Sequence, residues 1–361
     1  MDNKTIVMNA PAAKPTRPAL TLGIQSDTAF TDTAKGLSGR DLVSIADLTV
    51  NEMAAILELA HAVKAAPEDF RHALDAKQMV MFFEKASLRT RLTFEVAMKS
   101  VGGGATFVDQ TAEPLGQRES IPDVARNLER WMQIIVLRTY SHDTIVEMAA
   151  NSRVPVINAL SDLEHPCQAL ADFMTLEERF GSVEGLKFTY VGDGNNVCHS
   201  LMLAGALLGV HVTVATPKNF APKLEIVHKA IEIAENTGGS LTITNDSTKA
   251  ALEADAIYTD VCTSMGMEHE AAKRAPLFKP FQVNEAMMAQ AQDSAVFMHC
   301  LPAHRGAEVT DAVLDGPQSI VFDQAENRMH AQKAIALMLL GGAKRIPSNR
   351  NKGGLQARTK R

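Results

Sequence analysis

The sequence predicts an α/β fold, with doubly wound parallel sheets divided between two domains that helices join. Three observations predict it. Short apolar runs rich in β-formers alternate with stretches of helical periodicity along most of the chain, and such alternation gives parallel strands linked by crossover helices. The length of 361 residues corresponds to two domains at about 100–200 residues each. With 46% hydrophobic and 22% charged residues, the composition is that of a globular chain able to bury sizeable cores.

Taken in order, residues 1–40 are rich in Ala, Pro, Thr and Asp without a sustained apolar period, and read as a flexible arm. Order begins near Leu42, and Ala54, Ile56, Leu57 and Ala60 recur at helical spacing. Val80-Met81-Phe82-Phe83 is an apolar run of the buried-strand kind; a helix over 88–100 follows and stops at Gly102-Gly103-Gly104. The run 105–109 is a second strand. Ser120 with Asp123 starts a helix before Val124, Leu128 and Trp131, and 134–137 and 154–157 are further strands. In the second half 186–191, 210–215, 241–244, 256–261 and 295–298 are β-rich runs, with helical stretches between most of them, including 197–208, 223–236 and 247–254. Phe322 to Arg328 opens a closing helix that carries Ile335, Met338 and Leu339. From Lys344 to Arg361 there are seven basic residues and no acidic one. No aromatic is interleaved there for base stacking, so 343–361 reads as a basic flexible tail and not a nucleic-acid arm.

Several function classes are disfavoured at once. No apolar run approaches the ~18–20 residues of a membrane span, and Met1-Asp2-Asn3-Lys4 lacks the layout of a signal peptide. The expectation is a cytoplasmic protein. The cysteines at 167, 198, 262 and 300 contain no CxxC pair, which argues against a disulfide framework or a structural zinc site. Gly192-Asp193-Gly194-Asn195-Asn196 follows a strand, but Cys198 and His199 stand where a dinucleotide fingerprint needs its third glycine, so a nicotinamide cofactor is poorly supported.

In parallel sheets ligands sit beyond the carboxyl ends of the strands, so chemistry is sought there. The strand at 80–83 runs through Glu84 and Lys85 into Ser87-Leu88-Arg89-Thr90-Arg91 and a helix. Free N–H groups and the macrodipole of a helix start favour anions, Ser87 and Thr90 offer hydroxyl donors, and Arg89 suits bidentate phosphate contact. Alone, the segment is equally a Ser-capped helix with surface arginines. Arg138 adds weight, since it follows a buried strand where a cation without an anionic partner is costly. His165-Pro166-Cys167-Gln168 lies after another strand, with Pro166 suited to a first helical position. An Arg, a His and a Gln on one site can polarise a carbonyl oxygen as it becomes an oxyanion. Asp260 ends the 256–261 run ahead of Ser264-Met265-Gly266, where a carboxylate suits an ammonium group. Cys300 sits between His299 and Leu301-Pro302, and would be able to accept a proton if nearby cations favour its thiolate. Arg328 falls in the first turn of the closing helix, where the dipole opposes a cation and a bound anion would explain it.

These pieces resemble the aspartate/ornithine carbamoyltransferase family, its ornithine branch most closely. The matching segments are 83–91, His165-Pro166-Cys167-Gln168, 192–196, Ser264-Met265-Gly266, His299-Cys300-Leu301-Pro302 and the Arg328 segment; they occur in family order and span roughly 42–342. The resemblance implies that Ser87, Leu88, Arg89, Thr90, Arg138, His165, Gln168, Cys300, Leu301 and Arg328 bind carbamoyl phosphate. Arg138, His165, Cys300 and Arg328 would carry the chemistry, and Asn196, Asp260, Ser264 and Met265 would hold L-ornithine. It also implies a carbamoyl-phosphate domain over 41–175, an amino-acid domain over 176–324 and a last helix, 325–342, returning to the first. A homotrimer or a multiple of trimers is implied, with no metal and no organic cofactor. Cys262 stands where the family usually has Trp, Pro114 where a neighbouring subunit commonly supplies Gln or His, and the 1–40 arm lies outside the pattern. The competing readings are another acceptor such as putrescine or an acylated ornithine, a nucleotide-dependent oxidoreductase, and a silent phosphate-binding subunit.

Overall fold

The structure, a computed structural model, describes residues 26–263 and 268–344. Among them the chain opens with α1 (Asp27–Leu37) and α2 (Val50–Ala65), then alternates β1 (Gln78–Phe83), α3 (Leu88–Ser100), β2 (Gly104–Asp109), α4 (Ile121–Leu128), β3 (Ile134–Arg138), α5 (His142–Asn151) and β4 (Val156–Leu160). Helix α6 (Pro166–Phe180) leads to the second series: β5 (Lys187–Val191), α7 (Asn196–Leu207), β6 (His211–Ala215), α8 (Leu224–Thr237), β7 (Ser240–Thr244), α9 (Ser247–Ala251) and β8 (Ala256–Thr259). It closes with α10 (Ala271–Phe278), α11 (Glu285–Met288), β9 (Val296–His299), α12 (Asp311–Leu314) and α13 (Val321–Leu339). Helix starts are capped as the sequence suggests: the side chains of Thr49, Ser87, Ser120, Ser141 and Asn195 each accept a hydrogen bond from a first-turn N–H.

The strands form two sheets, in the orders β2-β1-β3-β4 and β7-β6-β5-β8-β9. Every pairing within them is parallel. Each order changes direction once, between β1 and β3 in the first sheet and between β5 and β8 in the second. A crevice opens at such a point because the two flanking connections leave toward opposite faces. Helix α6 is buried from Pro166 to Leu176, and α13 packs on α6, α2 and α3 and also meets β9. No helix among the described residues is long and apolar enough to cross a membrane.

Three details differ from the sequence expectation. The arm expected over 1–40 is structured at its end: Ser26 caps α1, and Phe30, Ala34 and Leu37, spaced like one helical face, are buried against the core. Short length and five polar Thr and Asp positions hid that stripe. The strand expected over 256–261 stops at Thr259, which leaves Asp260 free to face the crevice. Helix α13 begins at Val321, so Arg328 lies two turns in and the helix dipole is not what it opposes.

Candidate active site

The two crevices meet in one cavity of about 300 Å³. Its walls come from the ends of six strands and the starts of three helices. Lys85 to Thr90 follow β1, Arg138 ends β3, Leu160 ends β4, and His165 and Gln168 open α6. Asn196 and Val197 follow β5, Asp260 follows β8, Cys300 and Leu301 follow β9, and Arg328 reaches in from α13. A larger depression of about 440 Å³ near α11 and α12 is lined by Met288, Val313, Pro317 and acidic Glu285 and Asp293, without convergent cations.

One end of the cavity is cationic. The Ser87 side chain caps α3 by accepting from the Thr90 N–H at 3.2 Å and donates to Thr90 Oγ1 at 2.9 Å. Arg328 donates to Thr90 Oγ1 at 2.6 Å and to Gln168 Oε1 at 2.8 Å, and Arg138 donates from Nε to the Lys85 carbonyl at 3.1 Å. Both guanidiniums are buried, yet neither forms an ion pair with a carboxylate among the described residues. Burial works against the charge of each; Arg328 adds to this at Arg138, and Arg89 contributes at both. Hydrogen bonds to neutral oxygens hold these groups in place without neutralising them, so a bound anion gains the whole of their field.

His165 is the residue just before α6. Its N–H donates to Ser200 Oγ at 2.9 Å, and burial, then Arg328 and Arg138, push the imidazole pKa well below 6.5. It is therefore neutral at physiological pH and offers one ring N–H without adding charge. Beneath it Glu164 accepts from Ser44 Oγ, from the Ile45 N–H at 3.1 Å and from Ser200 Oγ at 3.0 Å, tying the α6 start to both domains.

The other end carries a carboxylate. Asp260 accepts from Asn195 Nδ2 at 2.8 Å and from the Cys300 thiol at 3.0 Å. Burial, then Asp260, push the thiol pKa well above 9, outweighing Arg328. The condition for a thiolate, that nearby cations prevail, is not met: Cys300 is a thiol donating to a carboxylate. Leu301, at φ 57°, is held by its N–H on His299 Nδ1 at 2.9 Å. Asn196 is fixed by its amide on the Ser161 carbonyl at 2.6 Å. Asp260, His299 and Cys300 each offer a ligand atom within 4.8 Å of the others. His299, however, spends Nδ1 on Leu301 and Nε2 on Glu308 at 3.2 Å, so the trio is not free to hold a metal as arranged.

Ser87, Leu88, Arg89, Thr90, Arg138, His165, Gln168, Asn196, Asp260, Cys300, Leu301 and Arg328 all line this cavity; Ser264 and Met265 lie outside the described residues. Unassigned from sequence were Lys85, whose ammonium lies 4.7 Å from the Tyr140 ring centre, and Leu160. Lys85 follows the end of β1 and Leu160 is the end of β4, and a strand end was the available signal. Arg274 was missed too: it donates to Asp193 Oδ2 at 2.9 Å and to the Cys262 carbonyl at 2.8 Å, tying the loops after β5 and β8 together.

Comparison with known proteins identifies one family over both halves of the chain. Residues 40–178 match the model "Aspartate/ornithine carbamoyltransferase, carbamoyl-P binding domain", and 184–339 the model of the "Asp/Orn binding domain" of the same family. The chain is 49% identical to an ornithine carbamoyltransferase of Pyrococcus horikoshii over 310 residues, covering 85% of this chain and 98% of that one. It is 50% identical to one of Shewanella oneidensis over 301 residues, covering 83% and 99%. The solved ornithine carbamoyltransferase of Pyrococcus furiosus superposes with a TM-score of 0.82 at 48% identity, covering 85% of this chain and 99% of that one.

Proposed function

The chain belongs to the aspartate/ornithine carbamoyltransferase family, and from that premise we propose that it transfers the carbamoyl group of carbamoyl phosphate to the side-chain amine of L-ornithine, giving L-citrulline and phosphate. The observation that carries the reading is the pair of buried guanidiniums, Arg138 and Arg328, facing a capped helix start with no carboxylate partner among the described residues.

The phosphate is gripped by Ser87, the backbone of Leu88, Arg89 and Arg328 at the α3 start, where N–H groups and dipole add to the cations. Gln168, Cys300 and Leu301 shape the carbamoyl end. Ornithine lies across the cavity with its α-ammonium on Asp260, helped by Asn196, and Ser264 and Met265 complete its contacts. The neutral side-chain amine attacks the carbamoyl carbon. The C–N bond forms, the carbonyl oxygen becomes an oxyanion held by Arg138, His165 and Thr90, and the C–O bond breaks as phosphate leaves with the amine's proton. A neutral His165 donates to the oxyanion without repelling the ammonium that must first lose its proton.

That loss is a real cost. An alkylammonium has a reference pKa of about 10.4, so the neutral amine at pH 7 is disfavoured by roughly 4.6 kcal/mol. The arginines lower it by repelling the protonated form, while Asp260, at the far end, holds the α-ammonium instead. No step requires a metal or an organic cofactor.

We further propose a homotrimer, acting in the cytoplasm in arginine metabolism. Leu88, Leu92 and Val96 form an exposed apolar stripe along α3, at the spacing of one helical face and beginning in the cradle itself, which suits contact with a second copy.

A citrulline-formation assay with carbamoyl phosphate and a panel of amines tests the reading. Ornithine should be carbamoylated, with putrescine and Nα-acetylornithine at least a hundredfold slower. Equal use of putrescine would remove Asp260 from recognition, and no product with any amine would end the proposal.

A further inference from the structure

Asp172 lies one turn beyond Gln168 on α6, is fully buried, and does not line the cavity. A carboxylate there demands a reason, because burial costs it dearly unless it is strongly bonded. Its Oδ1 accepts from two amides at once, Gln168 Nε2 at 2.7 Å and Gln324 Nε2 at 2.7 Å.

Each of those amides has a second atom committed elsewhere. Gln168 turns Oε1 to Arg328 Nη1 at 2.8 Å, and Arg328 reaches Thr90 Oγ1 and hence the Ser87 cap. Gln324 turns Oε1 to the His299 N–H at 3.0 Å, one residue before Cys300, whose thiol meets Asp260. The direction of each amide is not free. A side-chain amide offers a carbonyl on one side and an NH2 on the other, and Asp172 Oδ1, already facing two NH2 groups, serves as an acceptor whether or not the other carboxyl oxygen carries a proton. Placing an acceptor behind Gln168 forces its carbonyl forward, toward the guanidinium.

We propose that Asp172 is a positioning residue for the transfer: as a shared acceptor it fixes the amide orientation of Gln168, and through it the aim of Arg328, while Gln324 ties the strand bearing Cys300 to the same point. This rests on the reading of the cavity as a carbamoyl-phosphate site. It also places one buried atom at the junction of α6, α13 and the second sheet, so the cationic and anionic ends keep a fixed separation. Without Asp172, the Gln168 amide is free to turn its NH2 to Arg328. Two donors then face each other, and the guanidinium swings from Thr90.

The test is a double-substitution cycle with Asp172→Ala, Gln168→Ala and the pair, read as KM and kcat for each substrate and as inorganic phosphate binding by calorimetry. Asp172→Ala is expected to lower kcat/KM for carbamoyl phosphate about 30- to 100-fold with the ornithine KM within threefold of wild type. The double variant should be no more than threefold worse than Gln168→Ala alone, because Asp172 acts through Gln168. Asp172→Asn keeps an oxygen in the Oδ1 place and should stay within about tenfold of wild type. Multiplying losses in the double variant, or a twofold or smaller effect of Asp172→Ala, would overturn the proposal. So would equal losses in the Ala and Asn variants. If Asp172→Ala shows no cooperative unfolding, Asp172→Ser takes its place in the same cycle. Phosphate binding separates this inference from the larger reading: a wild type that binds phosphate but carbamoylates no amine refutes the activity, and the cycle on phosphate affinity still decides the role of Asp172.

Discussion

Replacing Arg328 with Met should damage function while leaving stability nearly untouched, and the opposition is the point. The guanidinium donates at 2.8 Å to Gln168 and at 2.6 Å to Thr90, its Nε is buried without a hydrogen-bond partner, and no carboxylate pairs with it among the described residues. Methionine has similar reach and no charge to desolvate. The folded chain loses two hydrogen bonds from a charged donor, each worth about 1.5–3 kcal/mol net, and is relieved of an uncompensated buried cation, a cost of several kcal/mol in real proteins. The two nearly cancel, so the thermal midpoint should move by no more than a few degrees, in either direction. The substrate complex has no such relief. A charged hydrogen bond to phosphate is worth about 1.5–3 kcal/mol, and loss of a transition-state donor about 3–4 kcal/mol. The two figures measure the same lost donor and do not add; the larger predicts a 10²- to 10³-fold fall in kcat/KM for carbamoyl phosphate. The assays are steady-state kinetics and differential scanning calorimetry on the same preparation. A midpoint lowered by ten degrees or more with a normal KM for carbamoyl phosphate would show that Arg328 is a structural cation, and the reasoning would fail.

Other outcomes follow from the same geometry. Asp260→Asn should raise the ornithine KM about 30- to 100-fold, the worth of a charged contact, with the carbamoyl-phosphate KM within threefold; equal losses for both substrates would contradict its place at the amine end. Cys300→Ala should slow the reaction five- to tenfold without moving the pH profile between pH 6 and 9, because burial and Asp260 keep the thiol protonated there; a shifted limb would make it a titrating group. Burial raises Glu164 from 4.5 to about 7 and Asp172 from 3.8 to about 7. Their protons are held longer in the folded chain than in the unfolded one, so this contribution to stability is full below about pH 4 and declines as pH rises through 7. Glu164→Gln should therefore flatten the fall of the thermal midpoint between pH 4.5 and 7.5, and an unchanged slope would refute the assignment. Leu92→Asp should dissociate the proposed trimer in sedimentation velocity, since it places a charge in the centre of the α3 stripe; an unaltered assembly would exclude that face.

Much of this was legible because strand ends, glycines and caps are local signals. Gly102-Gly103-Gly104 and Ser87 bracket α3 at the residues expected, and the Arg89, Arg138 and His165 positions follow from strands that apolar runs announce. What escaped the sequence depends on contacts distant along the chain. Helix α1 is recognisable only once Phe30 and Leu37 have a core to enter. The aim of Arg328 depends on Gln168, 160 residues away. The protonation of Cys300 depends on Asp260, 40 residues away, and the neighbouring cations suggested the opposite state. Asp172 and Gln324 look like ordinary polar positions in helices until burial makes them costly.

The central claim is that one cavity grips a phosphorylated carbamate at its arginine end and a diamino acid at its Asp260 end. A crystal structure with a bisubstrate analogue, a phosphonate joined through an acetyl link to the side-chain amine of ornithine, tests it most directly. The phosphonate should lie at the start of α3 within hydrogen-bond distance of Arg89 and Arg328, with the α-ammonium on Asp260. A phosphonate bound elsewhere, or an α-ammonium turned away from Asp260, would contradict the account.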